Sequence, residues 1–211
     1  LEDINKAIAD EYQEEISESL DEIMAELNRL VGLDNIKKDV EQLLNYIRVE
    51  KLRSEQGMTT QSLSLHAVFQ GPPGTGKTRT AKEVAEKIKA KIFFTQFHAE
   101  TSFSDFIFGI RPDLNNKELS YRENLGSFTE ALKYAKEHEN EKVLLIIDEI
   151  NRANLSNVLG PIFYLFEHKM DKSNVEIEIS PGFKINKLPD NFSVIATMNT
   201  ADRSLAVVDF A

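Results

Sequence analysis

Eight consecutive residues, Gly71-Pro72-Pro73-Gly74-Thr75-Gly76-Lys77-Thr78, combine the types needed to hold a phosphate chain. Glycines let backbone N–H groups close around phosphate oxygens, the Lys77 amine reaches the β- and γ-phosphates, and the Thr78 hydroxyl ligates Mg²⁺. Much further along, the apolar run Val143 to Ile147 ends in Asp148-Glu149, the acidic pair that such a loop requires. Asp148 would hold Mg²⁺ directly or through water, and Glu149 would orient and deprotonate an attacking water. Asn199, at the end of the run Phe192 to Met198, would supply a third polar group on the γ-phosphate side. Phosphoryl transfer to water needs positioning and charge neutralisation more than covalent chemistry, so this set implies a nucleoside-triphosphatase. Each piece has a plainer reading. The loop could be a Gly-rich turn that binds nothing, the acids solvated charges, and Asn199 a turn former.

Placing these residues requires strands and helices in a definite order. His66 to Gln70 reads as a short buried strand entering the loop and Thr78 to Ala90 as a helix leaving it, which sets the phosphates on a helix N-terminus. Lys91 to His98 alternates and favours a strand. A helix starts over Ser104 to Phe108, breaks at Arg111 to Asn116 and resumes over Gly126 to Glu139, so a small hairpin is inserted into it. Val143 to Ile147 is the most apolar strand and should be central. Leu155 to Met170 reads as a helix in which Pro161 causes a kink or marks a first turn. Val175 to Ile179 and Phe183 to Leu188 form a hairpin around Ser180-Pro181-Gly182, and Phe192 to Met198 is the last strand. Strands alternating with helices predict a parallel sheet covered on both faces, with ligands at the strands' carboxyl ends.

Upstream, Ile4, Ile8, Tyr12, Ile16, Leu20, Ile23, Leu27 and Leu30 recur at steps of three or four, which predicts an acidic amphipathic helical extension over residues 1–30. A second helix is expected from Asp34 as N-cap through Leu52, stopping at Gly57, with Thr59 to Ser64 as the polar connection. Residues 1–30 hold ten acids against Lys6 and Arg29, a net of −8 out of −10 for the 211-residue chain. An acidic arm is repelled by DNA and by anionic membranes; its plainer reading is a solvated helix face. Hydrophobic content of 41% and charged content of 28% fit an ordinary soluble α/β domain. No apolar run approaches a membrane span, and the absence of cysteine excludes a disulfide scaffold and fits a cytoplasmic setting. Leu1 in place of Met and an end at Ala211 in mid-pattern suggest an excised fragment.

The order and spacing of Gly71 to Thr78, Asp148-Glu149 and Asn199 resemble the Walker A, Walker B and sensor 1 elements of AAA+ ATPases. The segments Gln96-Phe97-His98, Phe106 to Pro112, Ile147 to Ser156 and Met198 to Ser204 resemble McrB-like motors of modification-dependent restriction systems, over about residues 92–211. The resemblance implies a P-loop αβα sandwich, the nucleotide contacted by Gly71, Pro72, Pro73, Gly74, Thr75, Gly76, Lys77, Thr78 and Arg79, and catalysis by Glu149, Asn199 and Lys77. It further implies a hexameric ring, an McrC-like nuclease partner, and DNA engaged only through the complex or another domain. Asp202 and Arg203 would support the water site or contact a neighbouring subunit; an intramolecular pair on a helix cap is the alternative. Arg152 would face a subunit interface or solvent, and His98 would gate the pocket or simply end a strand.

Leu30 to Leu33, the helix to Gly57 and Ser64 to Phe69 instead resemble CbxX-type AAA+ proteins, in which Val31 and Gly32 would lie against adenine. That implies ATP, with GTP open through the McrB-like half. The resemblance places a nucleotide-binding core over residues 31–211 and implies that an arginine-rich stretch and a C-terminal helical lid are missing. Three functions stay open: a restriction motor driving DNA translocation, a CbxX- or MoxR-type protein remodeller, and an assembly module without useful turnover.

Overall fold

The computed structural model describes residues 24–25, 27–29, 34–58, 66–113, 120–166 and 176–200. The chain divides into two compact units, residues 1–61 and 62–211. In the first, helix α1 spans Asp34–Glu55. It ends where the sequence places its stop: Gly57 takes φ 68°, and the Met58 N–H returns to the Arg53 carbonyl at 3.0 Å. A left-handed residue with that long-reach bond is a favourable way to satisfy the last carbonyls of a helix. The periodicity expected before residue 24 lies outside the described residues, as do Val31 and Gly32.

The second unit is built on a four-stranded parallel sheet. Strands β1 (Ala67–Gly71), β2 (Lys91–Gln96), β5 (Val143–Asp148) and β8 (Phe192–Asn199) lie in the order β1-β8-β5-β2. All six residues of β5 are buried, as expected for an interior strand whose two faces are both covered. Alternation divides them. Val143, Leu145 and Ile147 join Phe128, Leu132 and Val194 in the larger core, whereas Leu144 and Ile146 pack with Ile195, Ala81 and Ala85. Helix α2 (Lys77–Lys87) covers the second face, its small Ala81 and Ala85 allowing close approach to the sheet. Helix α4 (Ser127–Glu137) contributes Phe128, Ala131, Leu132 and Ala135 to the first face. The result is the three-layer αβα sandwich that the sequence predicts. Burial of each large apolar chain in β5 contributes about 1.5–3 kcal/mol.

The insertion between β2 and α4 is more extended than the sequence suggests. Helix α3 is only Phe103–Phe106, and Phe108, expected to be helical, opens strand β3 (Phe108–Asp113), which pairs antiparallel with β4 (Ser120–Leu125). Arg111-Pro112-Asp113 is thus strand rather than a break, since an isolated two-stranded ribbon tolerates a proline that donates no hydrogen bond. The base of the hairpin is tied down from both strands. The Gly126 N–H and the Thr129 hydroxyl donate to the Ile107 carbonyl at 2.9 and 2.6 Å. On the β3 side, Asp105 of α3 accepts from the Ser102 amide, the Ser102 hydroxyl and Arg111 at 2.9, 2.6 and 2.6 Å.

Downstream, the expected single helix over 155–170 is helix α5 (Leu155–Leu159) followed by a 3₁₀ segment, Gly160–Phe166. Pro161 has no N–H to continue the α-helical ladder, so the chain tightens there. Strands β6 (Ile177–Ser180) and β7 (Phe183–Ile185) form the second hairpin, with Gly182 at φ 72° in its turn.

Two substitutions test this framework. A Cβ at Gly126 would stand 2.1 Å from the Phe106 carbonyl carbon, so Gly126→Ala should cost at least about 3 kcal/mol and lower Tm by roughly 6–12 °C; Gly160→Ala, with nothing within 4 Å, is the control. The hydrogen bond from the Ser102 hydroxyl, then the Ser102 amide and Arg111, holds the Asp105 carboxyl below its ordinary value. A lowered folded pKa means the contribution is whole above about pH 4 and is lost as pH falls through the lowered value. The Tm gap between wild type and Asp105→Asn should therefore shrink from pH 6 to pH 3, and a constant gap would contradict this.

Candidate functional site

The loop between β1 and α2 turns sharply because Gly74 and Gly76 both take φ 79°, a conformation that side-chain-bearing residues rarely adopt. Gly76 immediately precedes α2, so the unpaired N–H groups and positive dipole end of that helix face the loop. The Lys77 amine folds back over this turn, donating to the Gly71 and Pro72 carbonyls at 2.9 and 2.7 Å and to the Thr75 hydroxyl at 3.3 Å. A cation held by carbonyl oxygens at a helix N-terminus fits an incoming anion.

Parallel register brings three strand ends to this loop. Gly71 is opposite Asn199, and Gln96 is opposite Asp148. The Thr78 hydroxyl donates to Asp148 Oδ1 at 2.6 Å across a separation of 70 residues. That same oxygen accepts from the Thr197 hydroxyl at 2.6 Å, and Oδ2 makes a longer contact of 3.4 Å with Gln96 Nε2. Glu149 follows in a left-handed conformation, φ 56° and ψ 44°, at a cost of about 1–3 kcal/mol for a non-glycine residue. Its N–H donates to Thr197 Oγ1 at 3.0 Å, and its carboxylate pairs with Arg152 Nε at 2.5 Å and approaches Asn199 Nδ2 at 3.4 Å.

Asn199 is fixed by a reciprocal clamp. The Asn151 amide donates to the Asn199 carbonyl at 2.9 Å and accepts the Asn199 N–H at 3.2 Å, continuing the ladder with a side chain beyond the end of β5. Asn199 Oδ1 is buried with no hydrogen-bond partner among the described residues. A buried acceptor left in this way, beside a carboxylate, is suited to a water or a ligand donor.

These groups line a cleft of about 350 Å³ formed by Pro73, Gly74, Gly76, Lys77, Thr78, Arg79, Asp148, Glu149, Thr197 and Asn199. Of the residues singled out in the sequence, Pro73, Gly74, Gly76, Lys77, Thr78, Arg79, the two acids and Asn199 thus converge on the cleft, whereas Gly71, Pro72 and Thr75 are outside its lining and accept the Lys77 amine. His98 lies two residues beyond β2, exposed and not in this lining, with its N–H on Thr101 Oγ1 at 2.9 Å. Arg152 reaches Glu149 within its own chain. Asp202 and Arg203 lie outside the described residues. Sequence reasoning missed Thr197, Asn151 and Gln96; an alternating strand with Thr197 two residues before Asn199 was the available signal for the first.

The donor set fits Mg²⁺ bound with a phosphate. A hydroxyl and one carboxylate provide hard oxygen ligands, and no group of three His, Cys, Asp or Glu forms a cage among the described residues. Mg²⁺ commonly takes one or two protein oxygens and completes its shell with phosphates and water.

The clamp is testable. Asn151→Ala removes both hydrogen bonds to the Asn199 backbone in a buried setting and should lower unfolding free energy by about 1–3 kcal/mol in urea denaturation. Unchanged stability would mean the clamp is idle.

Residues 66–211 match the AAA domain family, dynein-related subfamily. The chain is 37% identical over 180 residues to the EcoKMcrB subunit of a type IV methyl-directed restriction enzyme from Escherichia coli K12, covering 82% of this chain and 38% of that protein. It is 28% identical over 214 residues to YdiS, a component of the type II restriction enzyme BsuMI from Bacillus subtilis, covering 83% and 62%. A shorter similarity, 37% over 75 residues, relates it to stage V sporulation protein K of Bacillus subtilis, covering 36% of this chain and 22% of that protein. This chain therefore spans less than two thirds of the length of each of these relatives. Since the family match runs over well more than half of the sequence, the chain belongs to the dynein-related subfamily of AAA domains and is an McrB-like AAA+ protein.

Proposed function

We propose that this chain binds Mg·ATP or Mg·GTP in the cleft at Gly71 to Arg79 and hydrolyses it. The observation that carries the reading is the 2.6 Å contact from Thr78 to Asp148, which joins the phosphate loop to the acidic strand end. Lys77 neutralises the β- and γ-phosphates once its amine leaves the loop carbonyls. Thr78 and Asp148 hold Mg²⁺, which when bound neutralises phosphate charge. Glu149 takes a proton from the attacking water, and Asn199 steadies that water beside Glu149; a positioned base of this kind typically contributes 10²–10⁴-fold.

In the cell we assign the activity to a cytoplasmic restriction or defence assembly, in which a ring of such chains drives DNA translocation by a nuclease partner. Support for this comes from the 37% identity to a restriction-enzyme subunit over 82% of this chain. Among the described residues no helix is long and apolar enough to cross a membrane, which is compatible with that setting.

Fluorescent ATP and GTP analogues with Mg²⁺, together with phosphate release, test the reading. Lys77→Ala should weaken binding about 10- to 100-fold, because it deletes a charge-assisted contact. Glu149→Gln should leave binding within about threefold while hydrolysis falls by roughly 10² or more. Binding unaffected by Lys77→Ala, or full hydrolysis by Glu149→Gln, would contradict the assigned roles.

A further inference from the structure

Resting on that hydrolytic reading, we propose that Thr197 is a positioning residue whose single hydroxyl sets the aim of both acidic groups. Thr197 is 2% exposed, in the interior strand β8. Alternation along the strands puts Thr197 and Asn199 on the same face as Ile195, and Asp148 on the same face as Leu144 and Ile146, the side that α2 covers. Its environment leaves the hydroxyl one orientation. The Glu149 N–H can only donate, so Thr197 Oγ1 accepts it at 3.0 Å and its own proton goes to Asp148 Oδ1 at 2.6 Å.

Two consequences follow for the site. Asp148 Oδ1 receives two short bonds, from Thr78 and Thr197, which occupy its lone pairs and leave Oδ2, whose one contact among the described residues is Gln96 at 3.4 Å, as the oxygen able to face a metal's water shell. The bond to the Glu149 N–H holds that residue in its left-handed turn, and the turn determines where the carboxylate emerges relative to Asn199. Loss of the hydroxyl would therefore disturb metal capture and water activation together, while leaving the phosphate loop unchanged.

Thr197→Val preserves the branched shape and deletes the hydroxyl, whereas Thr197→Ser keeps the hydroxyl and deletes the methyl group. In the full chain without nucleotide, amide hydrogen exchange at Glu149 should rise about three- to tenfold in Thr197→Val and remain near wild type in Thr197→Ser. With nucleotide, Thr197→Val should lower kcat at least about tenfold and raise the Mg²⁺ concentration for half-maximal rate. Affinity for a fluorescent nucleotide analogue should stay within about threefold, and Ser should restore kcat.

Wild-type Glu149 exchange in Thr197→Val would overturn the proposal. So would equal losses of kcat, affinity and Tm in both variants, which is the signature of a merely structural residue. Lys77→Ala run in parallel separates the two levels: if wild type hydrolyses no faster than Lys77→Ala, the hydrolytic reading falls, and the Glu149 amide alone decides whether Thr197 positions the turn.

Discussion

A nearly buried carboxylate that accepts from three other elements holds this site together. Asp148 is 9% exposed, and its oxygens receive Thr78 from the phosphate loop's helix, Thr197 from β8 and, at longer range, Gln96 from β2. A desolvated carboxylate without such partners would be costly, and one with two hydroxyl donors at 2.6 Å is both tolerated and strictly oriented. The same contacts lock four chain segments at one end of the sheet. Stability and site geometry thus depend on the same atoms, and the apolar strand behind Asp148, buried at every residue, is the rigid base that permits this.

Around that hub the polar groups are arranged in pairs that restrain one another. Asn151 clamps the backbone of Asn199, leaving the Asn199 side chain to face Glu149. Glu149 is held by its N–H on Thr197 and by its ion pair with Arg152. Lys77 is satisfied within the loop by carbonyls of Gly71 and Pro72, so an anion entering the cleft would exchange with contacts already made. A site built in this way spends little reorganisation on ordering its own groups.

How much of this was legible in the sequence depended on how local each signal was. The loop spacing, the apolar run ending in Asp148-Glu149 and the strand ending in Asn199 are written contiguously, and their convergence follows from a parallel sheet. Thr197 is legible only as a polar residue on the same strand face as Asn199, and Asn151 and Gln96 not at all, because their partners lie about fifty residues away in sequence and depend on strand order and register. The hairpin inserted before α4 was foreseen from Arg111-Pro112, but its strands run through that dipeptide, since an open ribbon forgives a missing donor. Pro161 predicts a kink or a first turn; instead, the helix gives way at Gly160-Pro161 to a 3₁₀ segment.

The most direct test of the account is a crystal structure of this chain with Mg²⁺ and a non-hydrolysable nucleoside triphosphate. The account predicts phosphate oxygens in the turn at Gly74 and Gly76, the Lys77 amine moved from the Gly71 and Pro72 carbonyls to phosphate, and Mg²⁺ beside Thr78 and Asp148 with Glu149 and Asn199 flanking a water. Nucleotide bound elsewhere, or Lys77 still on its own carbonyls beneath a bound triphosphate, would contradict it.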